Sequence, residues 1–201
     1  MAYTFKETPG KPGAPLFFTF HGTGGDETQF HDLASELMPD AQVISPRGDV
    51  SEHGMLRYFR RKAEGVYDME DLAARTQAMG DFIAAQKSKA GASRLIGLGY
   101  SNGANILASV IMARPDLFSE AILMHPLIPW QPAPADLKGK RVLITAGKRD
   151  PICPAPLTQS LADWFKGQGA DTSLLWHDGG HELRREELAA TQQFLKLENV
   201  N

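Results

Sequence analysis

The chain has 201 residues, of which 42% are hydrophobic and 22% charged, with a net charge of −3. A chain of this size buries about 70% of the surface its unfolded form exposes, enough for one globular domain over residues 1–201. The mild negative charge gives no reason to expect nucleic acid as a partner, and the lone Cys153 excludes an intramolecular disulfide and fits a reducing compartment.

Met1 to Gly10 contains neither a basic nor an apolar stretch, so no secretory signal is visible and a cytoplasmic location is expected. The run Leu16 to Phe20 reads as a buried strand, followed by a glycine-rich turn and a helix over roughly Glu27 to Met38. Thr23-Gly24-Gly25 lacks the Gly-Lys-Ser/Thr ending of a phosphate-binding loop. Gln42 to Ser45 is the next strand. Pro46 to Tyr67 is long for a connection, has glycines at 48, 54 and 65, and carries Arg57, Arg60, Arg61 and Lys62. Such a segment is either a solvated loop or part of a pocket wall.

Asp68 to Lys87 places Met69, Leu72, Ala73, Met79, Phe82 and Ile83 on one helical face. Strands follow at Leu95 to Leu98, Ala121 to Met124, Val142 to Thr145 and Thr172 to Trp176, with helices near 102–113, 156–167 and 182–197 between and after them. Ile106 to Ala113, the longest apolar run, is broken by Ser109 and too short to cross a bilayer, so no membrane partner is expected. Pro126 to Pro134 reads as an irregular surface loop. Continuous apolar strands alternating with helices indicate a three-layer α/β fold, a mostly parallel sheet covered on both faces, with no lid domain between Met124 and Arg141.

The chemistry concentrates at Gly99-Tyr100-Ser101-Asn102-Gly103, where a strand runs into a helix. This is the pattern of a nucleophile elbow, whose serine is held in a strained conformation with Oγ clear of the sheet edge. Gly99 and Gly103 are required there because a Cβ would collide as strand and helix fold back. A serine hydroxyl needs a base, and the base needs an orienting group. Asp150 and His181 each follow a later strand, where such groups belong in a parallel sheet. Asp150 could instead be a turn or cap residue, and His181 a helix cap. A metal pair of His177 and His181 is opposed by Gly179-Gly180, and no His-Glu-x-x-His is present. An acyl-transfer site also needs donors for the tetrahedral oxyanion: the backbone N–H of Asn102 is one, and the N–H of Thr23 the second, with Gly24 as its alternative. His21 reads as a residue holding that loop. Cys153 reads as a small buried hydrophobe rather than a second nucleophile.

These residues resemble the α/β-hydrolase superfamily, which shares the chain order Ser, Asp, His, and more closely its small bacterial carboxylesterase/phospholipase group, related to acyl-protein thioesterases and hydroquinone-resistance carboxylesterases. The resemblance rests on His21 to Glu27, Pro46 to Gly54, Arg57 to Arg61, Gly99 to Asn105, Gly147 to Pro154 and Gly179 to Leu183. It implies a serine hydrolase with Ser101, Asp150 and His181 as a triad, no cofactor and no metal, acting on small-molecule esters. It also implies pairing as a homodimer in many members. Thioesterase relatives typically have Gln where this chain has Asn102, which leaves thioesterase or lysophospholipase activity as the alternative, and ligand binding without turnover as the more distant one. With no lid, the expected pocket is open and suited to short-chain esters, with Met55, Phe59, Leu127, Ile128 and Trp130 as candidate apolar walls. His125, at a strand end, is either pocket-lining or structural.

Overall fold

A computed structural model describes residues 3–196. The elements are β1 (Phe5–Thr8), β2 (Leu16–Phe20), α1 (His31–Leu37), β3 (Gln42–Pro46), β4 (Val50–Glu52), β5 (Met55–Arg57), β6 (Arg61–Ala63), β7 (Val66–Tyr67), α2 (Met69–Ala90), β8 (Leu95–Tyr100), α3 (Asn102–Ala113), β9 (Glu120–Met124), β10 (Arg141–Gly147), α4 (Ala155–Gly167), β11 (Asp171–His177) and α5 (Arg185–Lys196). Seven strands form one sheet in the order β1-β3-β2-β8-β9-β10-β11. All neighbours are parallel except β1, which pairs antiparallel to β3 at the edge. This edge strand has no counterpart in the sequence reading.

The strands are buried on both faces, which explains their unbroken apolar character. Successive residues face opposite cores. Phe18, Leu95, Leu123 and Ile144 join the core beneath α2, α3 and α4. Phe17, Ile96, Ile122 and Leu143 join the core beneath α1 and α5. Ile96, Ile122 and Leu143 occupy one face of three adjacent strands, so their packing fixes the register.

Several boundaries differ from expectation for local reasons. The first helix begins at His31, not Glu27, because Asp26 accepts from both the N–H and the hydroxyl of Thr28 and so closes a turn that delays helix entry. The last begins at Arg185, not 182; the expected end at 197 lies outside the described residues, as do the first two residues of the amino-terminal reading. The 126–134 connection is irregular, yet Pro126, Leu127 and Ile128 are buried rather than on the surface. Two small hairpins, β4–β5 and β6–β7, organise the 46–67 segment. The first turns through His53 and Gly54, both at positive φ, as a tight two-residue hairpin loop requires. Among the described residues no helix is long and apolar enough to cross a membrane.

Candidate active site

Every functional candidate lies just past the carboxyl end of a parallel strand. Ser101 follows β8 and opens α3 with φ 52° and ψ −118°, the left-handed backbone that a serine elbow demands. The turn is this tight because Gly103 rests on the backbone of Phe20 and His21, where a Cβ would meet His21 O at 2.5 Å. Ser101 N–H donates to Met124 O at 2.9 Å, tying the elbow to the neighbouring strand.

Asp150 and His181 are brought together by two loops that interlock. Lys148 N–H donates to His177 O, and Arg149 N–H to Gly179 O, both at 2.9 Å. Gly147 lies against this second loop so closely that an added Cβ would sit 2.6 Å from Gly179 O. The outcome is a continuous line: Ser101 Oγ lies 2.9 Å from His181 Nε2, and His181 Nδ1 lies 2.7 Å from Asp150 Oδ2. Because a carboxylate only accepts, the His181 proton is on Nδ1, leaving Nε2 to accept from the serine hydroxyl. Burial by itself would raise the Asp150 carboxyl, but hydrogen bonds from Cys153 N–H, His125, His181 and Ile152 N–H outweigh it and hold the group below the usual carboxylate range. Tyr100 lays its ring beside His181, with centroids 5.4 Å apart, and donates its hydroxyl to His181 O at 2.7 Å.

Thr23, Ser101, Asn102 and His181 line one cavity of about 270 Å³. The Gly24 N–H is engaged by Leu56 O at 3.0 Å, whereas Thr23 N–H has no acceptor among the described residues. Asn102 N–H lies in the first turn of α3, where a helix supplies no acceptor of its own. The Asn102 side chain accepts from Tyr58 N–H at 2.8 Å and so fixes the 46–67 segment to the elbow. That segment is a wall of the cavity, contributing Arg57, Arg61, Glu64 and Tyr67. Arg57 is buried and donates to Thr23 Oγ1 at 2.8 Å. Of the expected apolar walls, Leu127 lines the cavity; Met55 is exposed to solvent, while Phe59 is packed in the core. The pocket is therefore more polar than its sequence suggested.

His21 holds the loop that follows β2, as read from sequence. Its Nδ1–H donates to Gly22 O at 2.7 Å and its Nε2 accepts from Gly48 N–H at 2.9 Å. Cys153 is buried, with Sγ 3.3 Å from His125 O, and burial pushes its thiol well above the ordinary range. His177 and His181 turn to different carboxylates, Glu187 and Asp150, so they form no common ligand pair. Tyr100, Tyr58 and Glu187 escaped the sequence reading. Glu187 alone had a usable signal, since it shares a helical face with buried Thr191 and Leu195.

No protein-family model matches the chain. MhqD of Bacillus subtilis (strain 168), named as a hydrolase, is 41% identical over 184 residues, which are 90% of this chain and 92% of that one. The protein Atu2452 of unknown function from Agrobacterium tumefaciens str. C58 has a crystal structure that superposes with a TM-score of 0.95 at 54% identity, covering 97% and 96% of the two chains. The carboxylesterase of Bacillus cereus superposes with a TM-score of 0.91 at 35% identity, covering 96% and 92%. With the elbow, the parallel sheet and these relatives in agreement, the chain belongs to the α/β-hydrolase superfamily, in its small bacterial carboxylesterase/phospholipase group.

Proposed function

We propose that this chain is a serine esterase that cleaves short-chain carboxylic esters through an acyl-enzyme. The observation that carries the reading is the hydrogen-bonded line from Ser101 through His181 to Asp150, opening on a cavity with two backbone N–H groups, of Thr23 and Asn102, that have no acceptor among the described residues. His181 Nε2 takes the hydroxyl proton as Ser101 Oγ attacks the ester carbonyl. The amides of Thr23 and Asn102 receive the oxyanion, and the positive end of α3 adds to its stabilisation. The protonated His181 then hands its proton to the leaving alcohol. Water enters by the same route, and Asp150 keeps the imidazole in one tautomer throughout. The small volume and polar lining support short acyl groups over long chains.

Fluorophosphonate labelling followed by peptide mapping, with p-nitrophenyl esters of graded length and matching thioesters, tests this reading. The label is expected on Ser101, with turnover falling as the acyl chain lengthens. Ser101→Ala should lower kcat on the order of 10⁶-fold with the thermal midpoint unchanged or higher. Label on another residue, or activity surviving the substitution, overturns the mechanism. Faster thioester than ester turnover moves the assignment to a thioesterase.

A further inference from the structure

Behind Asp150, away from the cavity, lies a second set of titratable groups that the proposed reaction does not use. His125 follows β9 with φ 52°, a strained backbone for a residue with a Cβ, and its side chain is wholly buried. Its Nδ1 lies 2.9 Å from Asp150 Oδ2, the same oxygen that meets His181. Its Nε2 lies 3.0 Å from Glu187 Oε1, and Glu187 is itself wholly buried on α5. Thr145 Oγ1 donates to Glu187 Oε1 at 2.6 Å, and Arg184 N–H to Oε2 at 2.7 Å. His177 Nε2 stands 3.3 Å from Glu187 Oε2 and 3.4 Å from His125 Nε2.

His125, His177 and Glu187 are close enough together to suggest a metal centre. The tautomer of His177 decides against it. Gly179 N–H donates to His177 Nδ1 at 3.0 Å, so that nitrogen is an acceptor and the ring proton is on Nε2. A metal on Nε2 would force the proton onto Nδ1, directly opposite the Gly179 N–H. Protons therefore organise the cluster. Both ring nitrogens of His125 face carboxylate oxygens, and each of these contacts needs a proton on the imidazole.

We propose that His125 is a positioning residue, a buried imidazolium held between Asp150 and Glu187, whose charge limits how strongly Asp150 attracts a proton onto His181. This rests on the esterase reading above. The directions of the ionisation shifts agree: burial lowers His125, yet hydrogen bonds to Glu187 and Asp150 and their charges raise it above the ordinary histidine value. Burial raises Glu187, yet hydrogen bonds from His125 and Thr145 bring it below the carboxylate range. The groups around the His125 ring are Tyr100 from β8, Asp150 after β10, His177 at the end of β11, His181 beyond it, and Glu187 from α5, while Cys153 Sγ meets the His125 backbone carbonyl. Among the described residues no cation other than these histidines stands with them, so the imidazolium is the local counter-charge to two carboxylates. Its ring centroid stands 5.1 Å from that of His181, near enough to oppose a second positive charge there. Removing the His125 charge while Asp150 keeps its own changes the field at the Ser101–His181 contact, and the pH profile of turnover is where the change is read.

Glu187→Gln separates charge from geometry. The amide can still accept from Arg184 N–H and donate to His125 Nε2, which then becomes neutral while keeping its Nδ1–H bond to Asp150. Imidazole ¹⁵N–¹H NMR near pH 7.5 should show protons on both nitrogens of His125 in the native protein and on Nδ1 alone in E187Q. The acid limb of the kcat/KM profile for p-nitrophenyl acetate should move to higher pH in E187Q, by on the order of half a unit. A native His125 with one ring proton overturns the proposal, whatever the variant does and whether or not any ester is turned over. An unmoved acid limb in folded, active E187Q overturns the positioning role. A native chain inactive on every ester counts against the esterase reading on which positioning depends, and the NMR result still decides the imidazolium.

Discussion

Cys153 sits 3.8 Å from His181 Nδ1, which at first resembles a Cys–His nucleophile pair. The chemistry runs the other way. That Nδ1 is committed to Asp150, and the thiol, raised by burial and then by the Asp150 and Glu64 charges, stays protonated across the working range. Iodoacetamide at pH 8 is therefore expected to leave native activity intact over hours, while the urea-unfolded chain alkylates within minutes; rapid inactivation of the native protein would show a reactive thiolate. At this scale the sequence was most legible where the neighbours of a residue define its backbone. Ser101 is flanked by the glycines its turn needs, and Asp150 and His181 follow strands that could be read from their apolar runs. His125 was visible only as a residue at a strand end, because its partner Glu187 is brought to it by α5 packing and sits within a charged stretch, Arg184 to Glu187, where the helical spacing to Thr191 and Leu195 is the one sign of a buried face.

Among elements, the 46–67 segment was the least legible and is the most consequential for the cavity. Its hairpins are too short to show a periodic pattern; what orders them is contact with the rest of the chain. Tyr58 donates its hydroxyl to Pro46 O and its N–H to Asn102 Oδ1, and Gly48 N–H donates to His21 Nε2. The last bond exists only while His21 is neutral. Burial lowers the His21 value against the opposing pull of its bond to Gly22 O and the Asp26 and Glu27 charges. As pH falls, the unfolded chain takes up this proton before the folded one does. The resulting stability is complete above about pH 6.5, the unperturbed histidine value, and is lost as pH drops below it. His31 is lowered in the same direction, so the His21 share is read by difference. The urea midpoint should fall more between pH 7.5 and 5.0 in the native chain than in His21→Gln, whose amide oxygen can still accept from Gly48. Equal losses in the two chains would remove His21 from the account.

For the molecule as a whole, the parallel sheet separates function from stability by direction. The carboxyl ends of its strands deliver Thr23, Ser101, His125, Asp150 and His181, whereas the amino ends carry groups with no access to the cavity. Glu120 opens β9 at that far end, buried, with Arg94 Nε at 2.6 Å and Arg141 Nη1 at 3.2 Å on its two oxygens. The sequence alone gave no hint of this, since a glutamate before an apolar strand reads as a solvated boundary residue; only the strand order β8-β9-β10 places Arg94 and Arg141 on either side of it. Both arginines keep partial contact with water. Replacing Glu120 by alanine should therefore cost roughly 2–3 kcal/mol, below what is expected when a fully buried charge is stranded. The loss should be seen as a lower urea midpoint with an unchanged slope, while kcat/KM at 25 °C stays within about twofold of the native value, because additivity holds between sites this far apart. A fall in kcat/KM matching the fall in stability would mean that the two ends of the sheet are coupled, and that the Ser101–His181–Asp150 geometry depends on strain carried along β9 to His125.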